Sequence, residues 1–481
     1  MNIKQEKGSM AVYVTIVLVS MVFILTAVFL ISNSARKNQL KTAMKVKETY
    51  EADNIRADII YDKLTNKPFN PKPTPEPPSG GTVMENMTNG IIEIKWLEGT
   101  TNKVVDTPNA PVIKTDLPEG TTMEQVVFDE AGKTWVPGTE YSYVAGIGSK
   151  DNNSSKWANA RVTINGVESY FVWIPRYAYR IIYFNSADSK IAYQEGKISE
   201  EEAVASGQII GYSDSRGIVD AQGRKIESVV STTKTMVSED YFMVHPAFIN
   251  DVDAGGWTEE LEGIWIGKYE TAGNNTQLKV QPGVSSLRSQ SIGTFYTYSI
   301  QYSEKLQSHM LKNSEWGAVA YLTESTYGRN GTEVTINNNE TTYYTGGGSG
   351  TAYIDNQNQS STGNVYGAYD LSGNAYEFVA AYHKDGDATY LNNGSSFTSK
   401  KASDKYSTVY GGIKMVNKYG DATYETSKWH SDSSSYMTTT NPFLSRGGNW
   451  YIGTEAGLFY PGQNHGEAYG GTSSRLALVV Q

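Results

Sequence analysis

From Met10 to Ile31 the chain runs 22 residues without a charge. At about 1.5 Å per residue, that helix reaches about 33 Å, enough to cross a bilayer's hydrocarbon core. The pattern predicts a transmembrane helix over 10–31 behind a short leader, 1–9. A cleavable secretory signal is the rival reading, but its apolar region is usually shorter, and Ser32-Asn33-Ser34 is a poor cleavage site. Residues 36–64 contain no Gly or Pro, and Leu40, Met44, Tyr50, Ile55, Ile59 and Leu64 recur at roughly helical spacing. This predicts an amphipathic helical stalk over 32–66. Residues 67–81 hold six Pro in 15 positions, a semi-rigid extended linker.

Beyond the linker the pattern changes to short alternating runs broken by Gly, Asn, Asp and Ser. Residues 91–96 and 170–174 read as strands. Ser199 to Ala205 and Gln307 to Leu322 read as helices. Residues 327–364, rich in Gly, Asn, Thr and Ser, predict a long surface excursion. No fixed-period repeat is present. The expectation is an α+β head with much loop, its β-rich N-terminal part at 82–150 and its main domain at 151–481.

Composition narrows the chemistry. The 481 residues carry 41 Lys+Arg against 51 Asp+Glu, a net charge of −10, which argues against a nucleic-acid partner. Zero cysteines exclude disulfides, thiolate metal sites and Cys nucleophiles. The five histidines, His245, His309, His383, His430 and His465, are scattered and form no metal motif. The 34 Tyr and 46 Gly suit twisted strands, turns and binding surfaces.

Four segments, in order over about 220 residues, resemble the formylglycine-generating enzyme (sulfatase-modifying factor) family, a branch of the C-type-lectin-like folds. Gly263 to Glu270 resembles its early "GKYEVT" strand. Leu311 to Ala320, with Glu315 and Trp316, resembles its "LPTEAEWEYAA" helix. Asn364 to Val379, with Gly373, Asn374 and Glu377, is similar to "NxxGLYDMSGNVWEWV". Arg446, Gly447, Gly448 and Trp450, closing at Arg475 to Leu478, resemble "RGGSW…GFRLA". The resemblance implies that fold, with Trp265, Trp316 and Trp450 as buried scaffold and Arg446 and Arg475 fixing carbonyls or carboxylates. It also implies a calcium site at Asn374 and Glu377, whose oxygens suit that ion. The family's cysteine-dependent oxygen chemistry is unavailable here, so binding rather than catalysis is expected.

The last stretch alternates scaffold residues with Tyr451, Thr454, Glu455, Tyr460, Gln463, Asn464, His465, Glu467 and Tyr469. Tyr with Asn, Ser and Gly is the composition of adaptable binding surfaces. It is similar to the variable C-terminal region of retroelement-diversified lectin-fold proteins, which implies that these nine residues face a glycan or protein ligand.

The N-terminus resembles that of type IV pilins and pseudopilins: a short basic leader, Gly8, an apolar span and a continuing helix. This implies cleavage between Gly8 and Ser9 and contact with pilus or pseudopilus subunits. The family's Glu at the fifth position after that Gly is replaced by Tyr13, which favours a plain membrane anchor equally. Arg36, Lys37, Lys41, Lys45 and Lys47 after the span argue for a cytoplasmic head. The pilin-like layout argues for an extracellular one, and that orientation is taken here. The sequence thus reads as a single-pass bacterial cell-surface binding protein. A filament subunit, or an enzyme of another reaction in the family's cleft, are the alternatives.

Overall fold

A computed structural model of the chain describes residues 88–146, 155–214, 217–219, 225–227, 241–399, 405–411 and 418–481. The leader, the membrane helix, the stalk and the Pro-rich linker lie outside the described residues. Among the described residues no helix is long and apolar enough to cross a membrane. Gly81–Gln481 forms one compact unit.

Strand outweighs helix, and the architecture is α+β. One long apolar stretch links two sheets. Val167–Pro175 pairs with Asn159–Ile164 on one side and Gly263–Gly267 on the other. After Arg176 the chain continues as Tyr177–Phe184, which pairs along its whole length with Gly90–Leu97 in a second sheet. All eight residues of Tyr177–Phe184 are buried, an unalternating run interrupted only by Arg180, whose charge is met by Glu93 and Glu200. Arg176 sits at the crossing, donating to Phe248 O at 2.7 Å and pairing with Glu260 at 2.7 Å.

A third sheet carries the C-terminal motifs. Tyr376–His383 pairs antiparallel with Phe443–Arg446 and parallel with Thr408–Tyr410 and Thr472–Ser474. Pro461–Asn464 adds outside Phe443–Arg446. Leu476–Leu478 returns to the sheet of Gly263–Gly267, so the final residues stitch two sheets together.

The helix Asn313–Glu324 is buried at all twelve positions. It starts later than the expected Gln307, because His309–Met310 pair as a strand with Ala477 and Leu476. Glu315 closes its first turn by accepting from the Lys312 N–H at 2.9 Å. Trp316 packs in the core and donates Nε1–H to Leu458 O at 2.9 Å. The expected short helix is Glu200–Ala205, with Ser199 and Glu202 forming a reciprocal capping box.

Residues 327–364 keep most of their side chains exposed or half-buried, as a surface excursion would, but several positions turn inward. Val334, Asn337, Thr345, Tyr353 and Ser360 to Thr362 are buried. Main-chain bonds such as Thr345 N–H to Val284 O at 3.0 Å and Ser361 N–H to Ala368 O at 2.8 Å satisfy this polar segment inside the fold.

A Cβ on Gly317 would stand 1.7 Å from the carbonyl oxygen of Gly420. No rotamer relieves a clash between two backbones. Gly317→Ala is expected to abolish cooperative unfolding or to cost more than about 3 kcal/mol, the large end of single-residue effects. Gly196→Ala, at φ 67° with open space around it, is expected to cost only about 1–2 kcal/mol. Chemical denaturation of both variants checks the contrast.

Candidate functional site

The turn leading into Tyr376–His383 is held by main-chain contacts. Gly373 and Asn374 both lie at positive φ, 80° and 58°, a pairing that Gly and Asn tolerate best. Gly373 N–H donates to Gly447 O at 3.0 Å and Asn374 N–H to Asn337 O at 2.7 Å. Tyr376 N–H donates to Gly471 O at 2.9 Å, and Trp450 N–H to Asn374 O at 3.1 Å. Three segments remote in sequence, at 337, 447–450 and 471, are thereby fixed against one turn.

Beneath the turn, Arg475 donates to both oxygens of Glu377. It also donates to Gly267 O at 2.8 Å and Tyr369 O at 2.9 Å. Glu270 accepts from Ala375 N–H at 3.0 Å, and Asp370 accepts from Asn337 and from Gly346 N–H, each at 2.8 Å. Burial, then the charges of Glu377 and Asp370, pushes Glu270 well above the usual carboxylate range. Burial also raises Asp370, and it pushes Glu377 up to about 7 against the pull of Arg475. One guanidinium thus faces three buried carboxylates, which favours protonation of at least one of them.

The calcium expectation at Asn374 and Glu377 does not fit this arrangement, because Glu377 spends both oxygens on Arg475. Asn374 Oδ1, Glu270 Oε2 and Asp370 Oδ2 are among the buried oxygens without a protein partner. Among the described residues, no group of three or more His, Asp or Glu side chains is placed to hold a metal ion. His309 instead meets Glu315 at 3.0 Å, His430 meets Glu324 at 2.9 Å, and burial lowers His245 to about 3.

Above the turn lies a face of aromatic side chains. The rings of Tyr376 and Tyr460 are 5.9 Å apart. Burial, then the neighbouring hydroxyls of Tyr460, Tyr469 and Tyr343, pushes the Tyr376 hydroxyl up. Tyr343 meets Trp450 edge-on at 6.4 Å, and Trp450 meets Tyr451 at 5.7 Å. The Arg288 guanidinium lies 3.9 Å over the Tyr343 ring and donates to Gly470 O. Tyr451 and Tyr469 are 60% and 58% exposed, the most open of the large apolar side chains described.

None of the nine residues predicted to face a ligand is buried. They divide into two ends. Tyr451, Tyr460 and Tyr469 join the aromatic face, with Thr454 and Glu455 exposed on the turn Trp450–Glu455. Gln463 and Asn464 lie along Pro461–Asn464, about 7 and 10 Å from its start. There His465 stacks flat on Tyr390 at 3.9 Å, and Glu467 is exposed beyond it. Trp450, expected as buried scaffold, is half-buried and belongs to the face. Gly447 and Gly448 take φ of 79° and 68°, and a Cβ on Gly448 would stand 2.7 Å from Ala456. Arg446 is buried, lies 5.5 Å over Trp316 and donates to Ala422 O at 2.6 Å.

Sequence reasoning missed Arg288, Tyr343, Tyr376 and Tyr390. Tyr376 had a signal, since it stands where the resembled motif has Trp. The other three lie in segments with no motif. Compared with known proteins, the chain matches no family model and no curated protein.

Glu270 gives a pH prediction. Its folded pKa is raised, so the folded state holds this proton more tightly than the unfolded state. The stability it contributes is present below the ordinary carboxylate pKa and is lost as pH rises through the folded value. Glu270→Gln keeps an acceptor for Ala375 N–H and removes the charge. In the presence of EDTA, its melting temperature is expected to exceed wild type at pH 8 and to match it near pH 4. Thermal melts across that range check the sign.

Proposed function

We propose that the chain is a membrane-anchored bacterial cell-surface binding protein. Its head is of the sulfatase-modifying-factor type of C-type-lectin-like fold, without that family's chemistry, and the Tyr376-centred face holds the ligand. The observation that carries this reading is the aromatic face itself. Tyr451 and Tyr469 stand exposed on a floor fixed by main-chain hydrogen bonds. Exposing two large aromatic rings on an otherwise polar surface costs solvation that a partner restores.

A protein ligand is favoured over a glycan, because the exposed rings stand with Glu455 on the same turn as Tyr451 and with Arg288 over Tyr343. Tyr and Arg are the residue types that dominate protein recognition hot spots. The pilin-like reading places the same head on a filament, with Ser9 as the mature N-terminus. The enzyme reading needs a reactive cluster in the cleft.

The test is binding of the full chain, in detergent, to arrays of cell-surface proteins and glycans, alongside Tyr451→Ala/Tyr469→Ala. Both side chains are exposed, so the variant is expected to melt with wild type and to bind at least about 100-fold more weakly, the loss expected from two hot-spot tyrosines. Binding unchanged in the variant would remove the face from the reading. Calcium is tested on the same material. If the unpartnered oxygens of Asn374, Glu270 and Asp370 take the ion, millimolar calcium raises the melting temperature and Glu270→Gln abolishes the rise.

A further inference from the structure

Three chain turns meet around a cavity of about 310 Å3 that shares no residue with the aromatic face. The first is Asn165-Gly166, between Asn159–Ile164 and Val167–Pro175. Both residues have positive φ, 50° and 80°, as a tight two-residue hairpin requires. The second is Asn275-Thr276, between Ala272–Asn274 and Gln277–Lys279. Asn274 Oδ1 accepts from the N–H groups of Thr276 and Gln277, both at 3.0 Å, which sets that turn. The third is the end of the helix Ile292–Gln301, which brings Tyr298, Gln301 and Tyr302 to the cavity. Tyr302 is steadied by Phe171, ring to ring at 6.2 Å.

The lining is chemically one-sided. No Asp, Glu, Lys or Arg borders the cavity, although these types make up 19% of the chain and concentrate on surfaces. Its polar groups are amides, on Asn165, Asn275, Gln277 and Gln301. Within the described residues none of these four amides is committed to a hydrogen bond. Each offers both donors and an acceptor, which is what adjacent hydroxyls on a ring need. The two tyrosines add apolar faces with polar tips. The volume lies at the small end of ligand pockets.

We propose that this cavity binds an uncharged sugar residue, alone or as the end of a longer glycan. A phosphate, a carboxylate or an acidic sugar finds no cation among the lining residues. A purely apolar ligand would strand four amides. The site is independent of the aromatic face and stands or falls without it.

The experiment is calorimetric titration of the full chain, in a detergent that carries no sugar, with neutral mono- and disaccharides. Glucuronate and sialic acid serve as charged counterparts. Gln277→Ala/Gln301→Ala and, separately, Tyr298→Ala are measured beside wild type, with thermal melts confirming the fold. The expected result is weak, saturable binding of a neutral sugar. Each variant should weaken it at least about tenfold, the value of one well-made hydrogen bond or ring contact. Tyr451→Ala/Tyr469→Ala should leave it unchanged. The proposal is overturned by the absence of binding by every neutral sugar. It is equally overturned by binding that survives both cavity variants, by loss in the aromatic-face variant instead, or by equal or tighter binding of the charged sugars.

Discussion

The head depends on one buried guanidinium. Arg475 joins the carboxylate of Glu377, in the sheet of Tyr376–His383, to the carbonyls of Gly267 and Tyr369. The planar fork can satisfy these partners at once, which lysine could not. A buried pair of this kind contributes little net stability against an apolar replacement. Removing one partner strands the other charge and costs about 3–5 kcal/mol. The pair therefore acts as a register lock. If Arg475 sits anywhere else, Leu476–Leu478 cannot lie against Gly263–Gly267.

From that lock outward, polarity is graded. Glu270 and Asp370 stand next to it, with more negative charge than one arginine balances, and burial raises both. The next layer is the turn at Gly373 and Asn374, held mostly by backbone groups, with the Asn374 amide donating to Ser286. The outermost layer is Tyr343, Tyr376, Tyr460 and Tyr469 with Trp450 and Arg288. On this side of the fold the charge lies beneath, and the surface carries groups with both an apolar face and a polar tip.

The sequence showed most of what local chemistry decides. Ser199 to Ala205 read as a helix, and the structure builds Glu200–Ala205 behind a Ser199–Glu202 capping box. The exposed C-terminal residues followed from alternation, and all nine reach the surface or stay half-buried. What was hidden depends on partners distant in sequence. Glu377 looked like a metal ligand because Arg475, 98 residues away, could not be placed beside it. The segment 327–364 looked like surface because its composition is polar. Much of it is, but Gly346, Thr345 and Ser361 turn inward, where they find main-chain or carboxylate partners. The helix start slipped because the strand His309–Met310 exists only through its pairing with Leu476 and Ala477.

The way the aromatic face is held has a consequence for what it can become. Tyr376 is fixed through its N–H to Gly471, and Trp450 through its N–H to the Asn374 carbonyl. Those bonds exist whatever side chains stand at 451, 454, 455, 463 or 469. Gly447, Gly448 and Gly373, by contrast, are tied to their positive φ, and Gly448 also to the 2.7 Å approach of Ala456. Variation is therefore cheap at the exposed positions and expensive one residue beneath them. A surface supported by main-chain bonds over a charge-locked core can change its side chains without changing its fold. This separation, and not any single tyrosine, is what the proposed recognition role rests on.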